Sequence, residues 1–187
     1  IVITEVNLIG ITPEVIQDKD FDKIKDSFES KLDLLILRFK NKREFKKHYR
    51  NFIAIAKDIS KEIVINSRHL DQISKNFNLH LNSKDLMRFD KRPIPSRFML
   101  GASCHNDLEI KKAKKIGCDY LLISPINKAH GKKGIGWSRF KYLSELSACP
   151  SFALGGMKKE NVIDAIKNGG QGVAGISLVK DLSLIHI

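Results

Sequence analysis

Two short apolar segments that end at glycine decide how this chain is interpreted: S-F-A-L-G-G at residues 151–156 and G-V-A-G-I-S at residues 172–177. Each segment has the length of a buried strand, and about one β-α unit separates them. Glycine at the end of a strand lets backbone N–H groups approach a ligand, because no Cβ stands in the way. Consecutive amides in such a turn bind anions. The tandem pair therefore predicts a phosphate site, although each segment alone is equally consistent with a simple tight turn.

Short apolar segments alternate with longer charged segments of helical period along the whole chain, which is typical of a parallel sheet with crossover helices. The predicted strands are residues 8–12, 34–37, 62–65, 79–81, 99–103 and 120–124, one strand after Pro150 and one after Gly170. The predicted helices are residues 20–30, 42–59, 70–75, 85–88, 107–116, 138–146 and 159–167. Eight strands with their connections predict an α/β fold, a single-domain (β/α)8 TIM barrel, in which the loops after the last two strands hold a phosphate.

Length and sequence punctuation define the predicted domain organisation. The 187 residues are enough for one domain. Residues 8–180 are predicted as the barrel, and residues 1–7 as a linker or N-terminal extension. Residues 181–187 are interpreted as a truncated last helix, with a non-native origin left open. Residues 125–136, rich in Gly, Lys and His, are predicted as a mobile lid.

Composition excludes several classes of function. The net charge of +12 comes mostly from lysines spread along helical segments without interleaved aromatics, so we predict no nucleic-acid partner. No apolar run has the length of a membrane helix, so no membrane association is predicted. Three cysteines without C-x-x-C spacing argue against a disulfide framework and a zinc knuckle, which favours a reducing cytoplasm.

The carboxyl ends of all barrel strands meet at one mouth, so residues distant in sequence converge there. Cations, small hydroxyls and amides follow the predicted strands, which suits a substrate that carries phosphate or diphosphate. The residues collected in this way are Thr12, Arg38, Lys40, Asn66, Arg68, His80, Asp85, Ser103, His105, Ser124, Lys132, Lys133, Gly155, Gly156 and Ser177.

An ordered series of motifs resembles the thiamine phosphate synthase family, which includes the related thiazole tautomerases. The motifs are I-T-P-E (11–14), R-F-K (38–40), I-N-S-R (65–68), H-L-N-S-K-D (80–85), G-A-S-C-H (101–105), C-D-Y-L-L-I-S-P (118–125), A-L-G-G-M (153–157) and G-V-A-G-I-S (172–177). The sequences G-A-S-C-H (101–105), I-G-W (135–137) and A-L-G-G-M (153–157) are most similar to the version of this domain that is fused behind a Nudix hydrolase. A fused upstream Nudix domain is therefore an open expectation. A homo-oligomer is a separate open expectation.

The resemblance implies an enzyme of thiamine biosynthesis, a transferase. Such an enzyme couples hydroxymethylpyrimidine diphosphate with thiazole phosphate, with Mg²⁺, and releases diphosphate. It implies that Arg38 and Lys40 grip the diphosphate, that Asn66 binds it, and that Asp85 is a Mg²⁺ carboxylate. It further implies that Ser103 lies near the substrates. The site implied for the thiazole phosphate is Gly155, Gly156, Ile176 and Ser177.

The sequence departs from the family pattern at three places. Ser67 stands where the family has the other Mg²⁺ carboxylate, and Asn82-Ser83 replaces Gly-Gln. The threonines of the family's lid are absent, so the substrate-binding lysine of that loop corresponds to Lys132 or Lys133, with Lys132 preferred.

Alternative readings stay open for the titratable residues and for the function. His105 stands where the tautomerases carry a general acid-base histidine, a role that suits this residue type; otherwise it is a helix residue bonded to the backbone. Asp85 is either a metal ligand or an ordinary acid in a first helical turn. His80 is interpreted as a structural histidine, Cys104 as a core residue and Trp137 as a packing anchor. The leading function is the synthase; the alternatives are a metal-free thiazole tautomerase and a catalytically inactive phosphate-binding barrel.

Overall fold

Eight parallel strands close into a barrel in chain order, so that β1 pairs with both β2 and β8. The computed structural model describes residues 2–74, 76–127, 131 and 133–180. The strands are β1 Leu8–Ile11, β2 Leu34–Leu37, β3 Glu62–Asn66, β4 Asn78–Leu81, β5 Leu100–Cys104, β6 Tyr120–Ile123, β7 Ser151–Leu154 and β8 Gly172–Gly175. The predicted single-domain (β/α)8 barrel is confirmed.

Helices on the outside of the barrel follow most of the strands. They are α1 Asp18–Ser30, α2 Lys42–Asp58, α3 Ser83–Arg88, α4 Asp107–Ile116, α5 Gly136–Leu146, α6 Val162–Lys167 and α7 Ser177–Lys180. The side chain of Asn41 caps α2 by accepting from the Glu44 N–H, and Asn106 caps α4 in the same way. Gly117 ends α4 in the left-handed region, at φ 73°. These local signals fix where each helix begins and ends.

Alternation along the strands divides the core into two layers. Ile9, Leu34, Ile36, Val64 and Phe152 belong to a cluster inside the barrel. The intervening positions pack outward against the helices, in a larger cluster that includes Phe28, Phe45, Phe52 and Phe140. Because each strand is covered on both faces, the strands read as continuous apolar runs.

Several predicted element boundaries differ from the observed ones. The predicted helix at residues 70–75 is wrong: a 3-10 segment, Ser67–Gln72, begins directly after β3, because the Asn66 side chain accepts from the Arg68 N–H. The predicted helix at residues 159–167 divides into a 3-10 turn, Lys159–Asn161, and α6. Strand β5 lies one residue later than predicted.

The flanking segments are described in part. Ile3–Glu5 forms a 3-10 turn, Val6 is buried, and the Asn7 carbonyl accepts from the Val173 N–H. Residues 181–187 lie outside the described residues. So do Lys132 and residues 128–130 of the predicted lid.

Candidate functional site

A cavity of about 620 Å³ opens at the carboxyl ends of the strands; it is called the mouth below. Eleven of the residues that the sequence predicts at the mouth line it: Arg38, Asn66, Arg68, His80, Ser103, His105, Ser124, Gly155, Gly156, Ile176 and Ser177. Apolar wall is supplied by Ile11, Ile36, Leu122 and Leu154. The mouth therefore combines this apolar wall with polar groups that come from most of the strands.

Two arginines and one glutamate form the cationic wall of the mouth. Arg68 donates to Glu14 Oε1 at 2.8 Å, and the Arg38 guanidinium lies 3.7 Å from the same oxygen. The hydrogen bond from Arg68 lowers the pKa of Glu14, and burial lowers the pKa of the Arg38 guanidinium. The Nε of Arg38 is buried and has no hydrogen-bond partner within the described part of the chain. The Arg38 side chain as a whole is 31% exposed, so its guanidinium can still approach an anion in the mouth.

Lys40 lies farther out than Arg38. Its backbone N–H donates to the Glu14 carbonyl at 2.8 Å, and its side chain is exposed and does not line the mouth. Arg38 itself is aligned by its own backbone, because its N–H donates to Thr12 Oγ1 at 2.8 Å. The R-x-K pair thus presents one cation inside the mouth and one at the surface.

Asp85 is held by a hydrogen-bond network after β3 and β4. The Ser67 hydroxyl donates to Asp85 Oδ2 at 2.7 Å, and Asn82 Nδ2 donates to the same oxygen at 2.6 Å. Ser67 also accepts from the backbone and side-chain N–H groups of Asn82. Asp85 and Ser67 line an adjoining cavity of about 590 Å³, which shares Arg68 with the mouth. Ser67 therefore supports the Asp85 carboxylate.

The donor set around Asp85 tests whether Mg²⁺ fits. Within the described residues, no three His, Cys, Asp or Glu side chains are close enough together to hold a metal ion. Asp85 Oδ1 has one long contact, with Arg88 at 3.4 Å, so it retains acceptor capacity. Mg²⁺ commonly takes one or two carboxylates and completes its shell with water and substrate phosphate. The residues fit an ion that enters with a phosphorylated ligand, and they do not form a cage of their own.

The turn after β7 forms a cup without side chains. Gly155 has φ 110°, and a Cβ there would lie 2.9 Å from Pro125 Cα. Gly156 also has positive φ, at 69°. Ser177 Oγ donates to the Met157 carbonyl at 2.6 Å, which joins the turn after β7 to the start of α7. The two glycines leave backbone exposed at this part of the mouth, beside Leu154, Ile176 and Ser177, and anion-binding turns require such exposed backbone.

His105 has a defined tautomer. Its Nδ1 lies 2.7 Å from the Ser124 carbonyl oxygen, and a carbonyl can only accept, so Nδ1 carries the proton. In the neutral ring, Nε2 is therefore an acceptor. Because His105 lines the mouth, this lone pair is available as a base.

His80 lies beneath Ser103 and is buried. Its Nε2 is 2.8 Å from Ser103 Oγ, and its Nδ1 is 3.1 Å from the Tyr120 hydroxyl. Burial lowers the pKa of His80 to about 3, so the ring is neutral. Both ring nitrogens of His80 are hydrogen-bonded, as in a structural histidine, and His80 also borders the mouth. Cys104, a predicted core residue, is fully buried, and Trp137 packs edge-on against Phe140.

Sequence reasoning assigned no role to Glu14 or Tyr120. Glu14 follows Pro13 directly after β1, so its position at a strand end was the available signal. Tyr120 faces Gly101 in the β5–β6 register, and such a pairing of a large with a small residue indicates a side chain that crosses the barrel. Distances between side chains on different strands cannot be read from either signal.

Comparison with known proteins gives the family. The sequence model described as thiamine monophosphate synthase matches residues 8–179. The chain belongs to the thiamine monophosphate synthase family. This finding confirms the resemblance that the motif series indicated.

Relatives with assigned names support the same family. The chain is similar to a thiamine-phosphate synthase of Prochlorococcus marinus subsp. pastoris, with 31% identity over 153 residues, 78% of this chain and 42% of that protein. A thiamine-phosphate synthase of Caldicellulosiruptor bescii is 25% identical over 182 residues, 91% of this chain and 82% of its own length. A putative thiamine-phosphate synthase of Aquifex aeolicus is 38% identical over 91 residues, 47% of this chain and 48% of that protein. The chain thus spans less than half the length of the Prochlorococcus and Aquifex relatives.

A solved structure shares the fold. The thiamine phosphate pyrophosphorylase from Pyrococcus furiosus superposes with a TM-score of 0.74 at 18% identity, over 96% of this chain and 90% of that one. Among the helices that the structure describes, none is both long and apolar enough to cross a membrane.

Proposed function

We propose that the chain is a thiamine phosphate synthase, which couples hydroxymethylpyrimidine diphosphate with thiazole phosphate. The observation that carries this proposal is the division of the mouth into two anion-binding ends. Arg38 and Arg68 follow β2 and β3, whereas the glycine cup follows β7. Ile11 lies on β1 between these ends, Ile36 and Leu154 lie on the strands that carry the ends, and this apolar wall suits flat heteroaromatic rings. Two phosphorylated partners thus fit with their rings facing each other.

The reaction asks the protein to stabilise a leaving group and to align two partners. The bond between the pyrimidine methylene carbon and the diphosphate oxygen breaks, and its electron pair leaves with the diphosphate. The lone pair of the thiazole nitrogen forms the new C–N bond. The guanidinium groups of Arg38 and Arg68 receive the developing negative charge. The glycine cup fixes the thiazole phosphate and so orients the attacking nitrogen.

Mg²⁺ is part of the proposal. Asp85 Oδ1 would contribute one ligand, with Ser67 and Asn82 orienting the carboxylate through Oδ2. When bound, the ion neutralises charge on the diphosphate. The homo-oligomer, the upstream Nudix domain, the cytoplasmic location and the role of Lys132 stay predictions.

The test is an assay with both precursors, with and without Mg²⁺, on the native chain and two variants. We expect Mg²⁺-dependent thiamine phosphate formation, and we expect Arg38→Ala to lower kcat/KM by about 100-fold or more. Arg50→Ala is the matched control, because Arg50 is exposed in the middle of α2 and, among the described residues, its one side-chain hydrogen bond joins it to Tyr49. Absence of product while thiazole phosphate still binds would refute the synthase and favour an inactive binding barrel.

One observation favours a second candidate, a thiazole tautomerase. The Nδ1–H of His105 is directed to the Ser124 carbonyl, which leaves Nε2 as the acceptor of a ring that lines the mouth, and such a base can move a proton between ring positions. This activity would proceed without Mg²⁺ and would be lost in His105→Gln. Metal-independent isomerisation of a thiazole carboxylate phosphate distinguishes it from the synthase.

A further inference from the structure

A chain of three hydrogen-bonding side chains runs from the closed interior of the barrel to the mouth. Tyr120 on β6 contacts His80 on β4, and His80 contacts Ser103 on β5. Tyr120 is fully buried, His80 is 2% exposed, and Ser103 is half-buried at the mouth. Because protons in such a chain are ordered, the identity of each donor can be worked out from the closed end.

Tyr120 sets the direction of the chain. Across residues 2–74, 76–127, 131 and 133–180, the Tyr120 hydroxyl has one hydrogen-bond partner, His80 Nδ1 at 3.1 Å. If His80 donated through Nδ1, the single phenolic proton of Tyr120 would be buried without an acceptor, which is costly. Tyr120 is therefore the donor and His80 Nδ1 the acceptor.

His80 transmits this direction. The ring is neutral, so one nitrogen carries a proton and the other a lone pair. With Nδ1 accepting, Nε2 carries the proton and donates to Ser103 Oγ at 2.8 Å. The proton of Ser103 is consequently free of His80, and no other described group accepts it. Ser103 can use that proton only toward whatever occupies the mouth.

Packing holds the chain rigid. A Cβ at Gly101 would lie 2.1 Å from the Tyr120 ring, so glycine at this position makes the space that the ring fills. The other side of the ring meets Phe152 edge-on at a centroid distance of 6.1 Å. The phenol ring is thus held in one orientation by Gly101 on β5 and Phe152 on β7, the strands on either side of β6.

We propose that Tyr120 and His80 are positioning residues that hold Ser103 as a hydrogen-bond donor toward an acceptor atom of the substrate. The mouth then presents two groups of opposite polarity, a donor at Ser103 and an acceptor at His105 Nε2. A bound substrate must offer a lone pair to Ser103, as a phosphate oxygen or a ring nitrogen does. The kinetic consequence rests on the proposed function, whereas the proton order does not.

The proton order is tested by nitrogen NMR of the histidine rings in the ¹⁵N-labelled full chain. We expect His80 to carry its proton on Nε2 in the native protein, and we expect Tyr120→Phe to abolish this preference while the fold is retained. Tyr142→Phe is the control, because Tyr142 is exposed and bonds Asp107 on the outside. A native His80 with its proton on Nδ1 overturns the proposal, whether or not the variants fold.

The consequence for catalysis is tested by a double-mutant cycle with both precursors. Tyr120→Phe is expected to lower kcat/KM about tenfold, the effect of one misdirected hydrogen bond. Ser103→Ala is expected to lower it further, and Ser103→Ala/Tyr120→Phe should match Ser103→Ala alone, since Tyr120 acts through Ser103. Additive losses would show a merely structural role and overturn the proposal. A native chain without turnover refutes the proposed function alone, because the NMR result stands independently.

Discussion

At the mouth, one acidic residue opposes the anion binding that the neighbouring arginines favour. Glu14 lies against Arg38 and Arg68, where the proposed diphosphate would bind. The carboxylate reduces the positive charge of the empty wall and also repels an incoming anion. The affinity for an anion therefore depends on the balance between attraction by the two arginines and repulsion by Glu14. Both interactions act over a few ångströms at a partly desolvated surface.

Glu14→Gln is expected to tighten binding of inorganic diphosphate by about three- to tenfold at low ionic strength, because it removes the competing charge and keeps the shape. Titration calorimetry measures the affinity. Glu29→Gln is the control, since Glu29 pairs with Lys25 at the far end of α1. Weaker binding in Glu14→Gln would show instead that the carboxylate mainly orients the two guanidinium groups.

At the scale of elements, the turn after β7 depends on the loop after β6. The Ile126 N–H donates to the Leu154 carbonyl and the Asn127 N–H to the Gly155 carbonyl. Gly155 therefore meets Pro125 closely, at a backbone conformation that other residues avoid. Both the close contact with Pro125 and the positive φ therefore require glycine at position 155.

Gly155→Ala is expected to abolish binding of inorganic phosphate and to lower the free energy of unfolding by more than Gly117→Ala does. Gly117 shares a positive φ, 73°, but a Cβ there has nothing within 4 Å, so it reports the backbone cost alone, about 1 kcal/mol. Urea denaturation and phosphate titration measure the two effects. Equal losses of stability in both variants would contradict the packing argument.

Local signals carried most of the fold. The apolar run 34–37 is β2, and residues 107–116 with Gly117 are α4, because capping and periodicity act within a few residues. The 3-10 segment Ser67–Gln72 differs from the predicted helix because the Asn66 side chain starts it, and hydrophobic periodicity does not reveal such a start. The shared rim of the site followed from the fold class, but the partners of Glu14, Ser67 and His80 depend on contacts between strands, which no sequence pattern states.

For the whole molecule, buried neutral histidines determine the response to acid. Burial lowers the pKa of His48, His69 and His80 below the ordinary value of 6.5. The unfolded chain therefore binds protons first as the pH falls, so stability declines below about pH 6.5. For His80 this window extends down to about pH 3. The exposed carboxylates with lowered pKa, such as Asp71 and Asp90, contribute only at lower pH and weakly.

The urea midpoint is expected to be lower at pH 5 than at pH 7.5. His69→Gln should reduce this difference, because the amide oxygen of glutamine can accept from the Phe39 N–H as His69 Nε2 does, at 3.1 Å, without titrating. Circular dichroism during urea denaturation at both pH values gives the midpoints. Midpoints that coincide would refute the assignment of these rings as neutral.

The pairing of β1 with β8 closes the ring, in the register Ile9 to Ala174. A ligand that reaches from Arg38 after β2 to the cup after β7 passes over the β1–β8 pair and contacts residues on both sides of it. Such a ligand should stabilise this strand pairing. Ligand binding should therefore slow amide hydrogen exchange in β1 and β8 more than in β4 and β5, although β1 contributes little of the polar contact surface. We therefore expect the bound substrate to stabilise the closed form of the barrel.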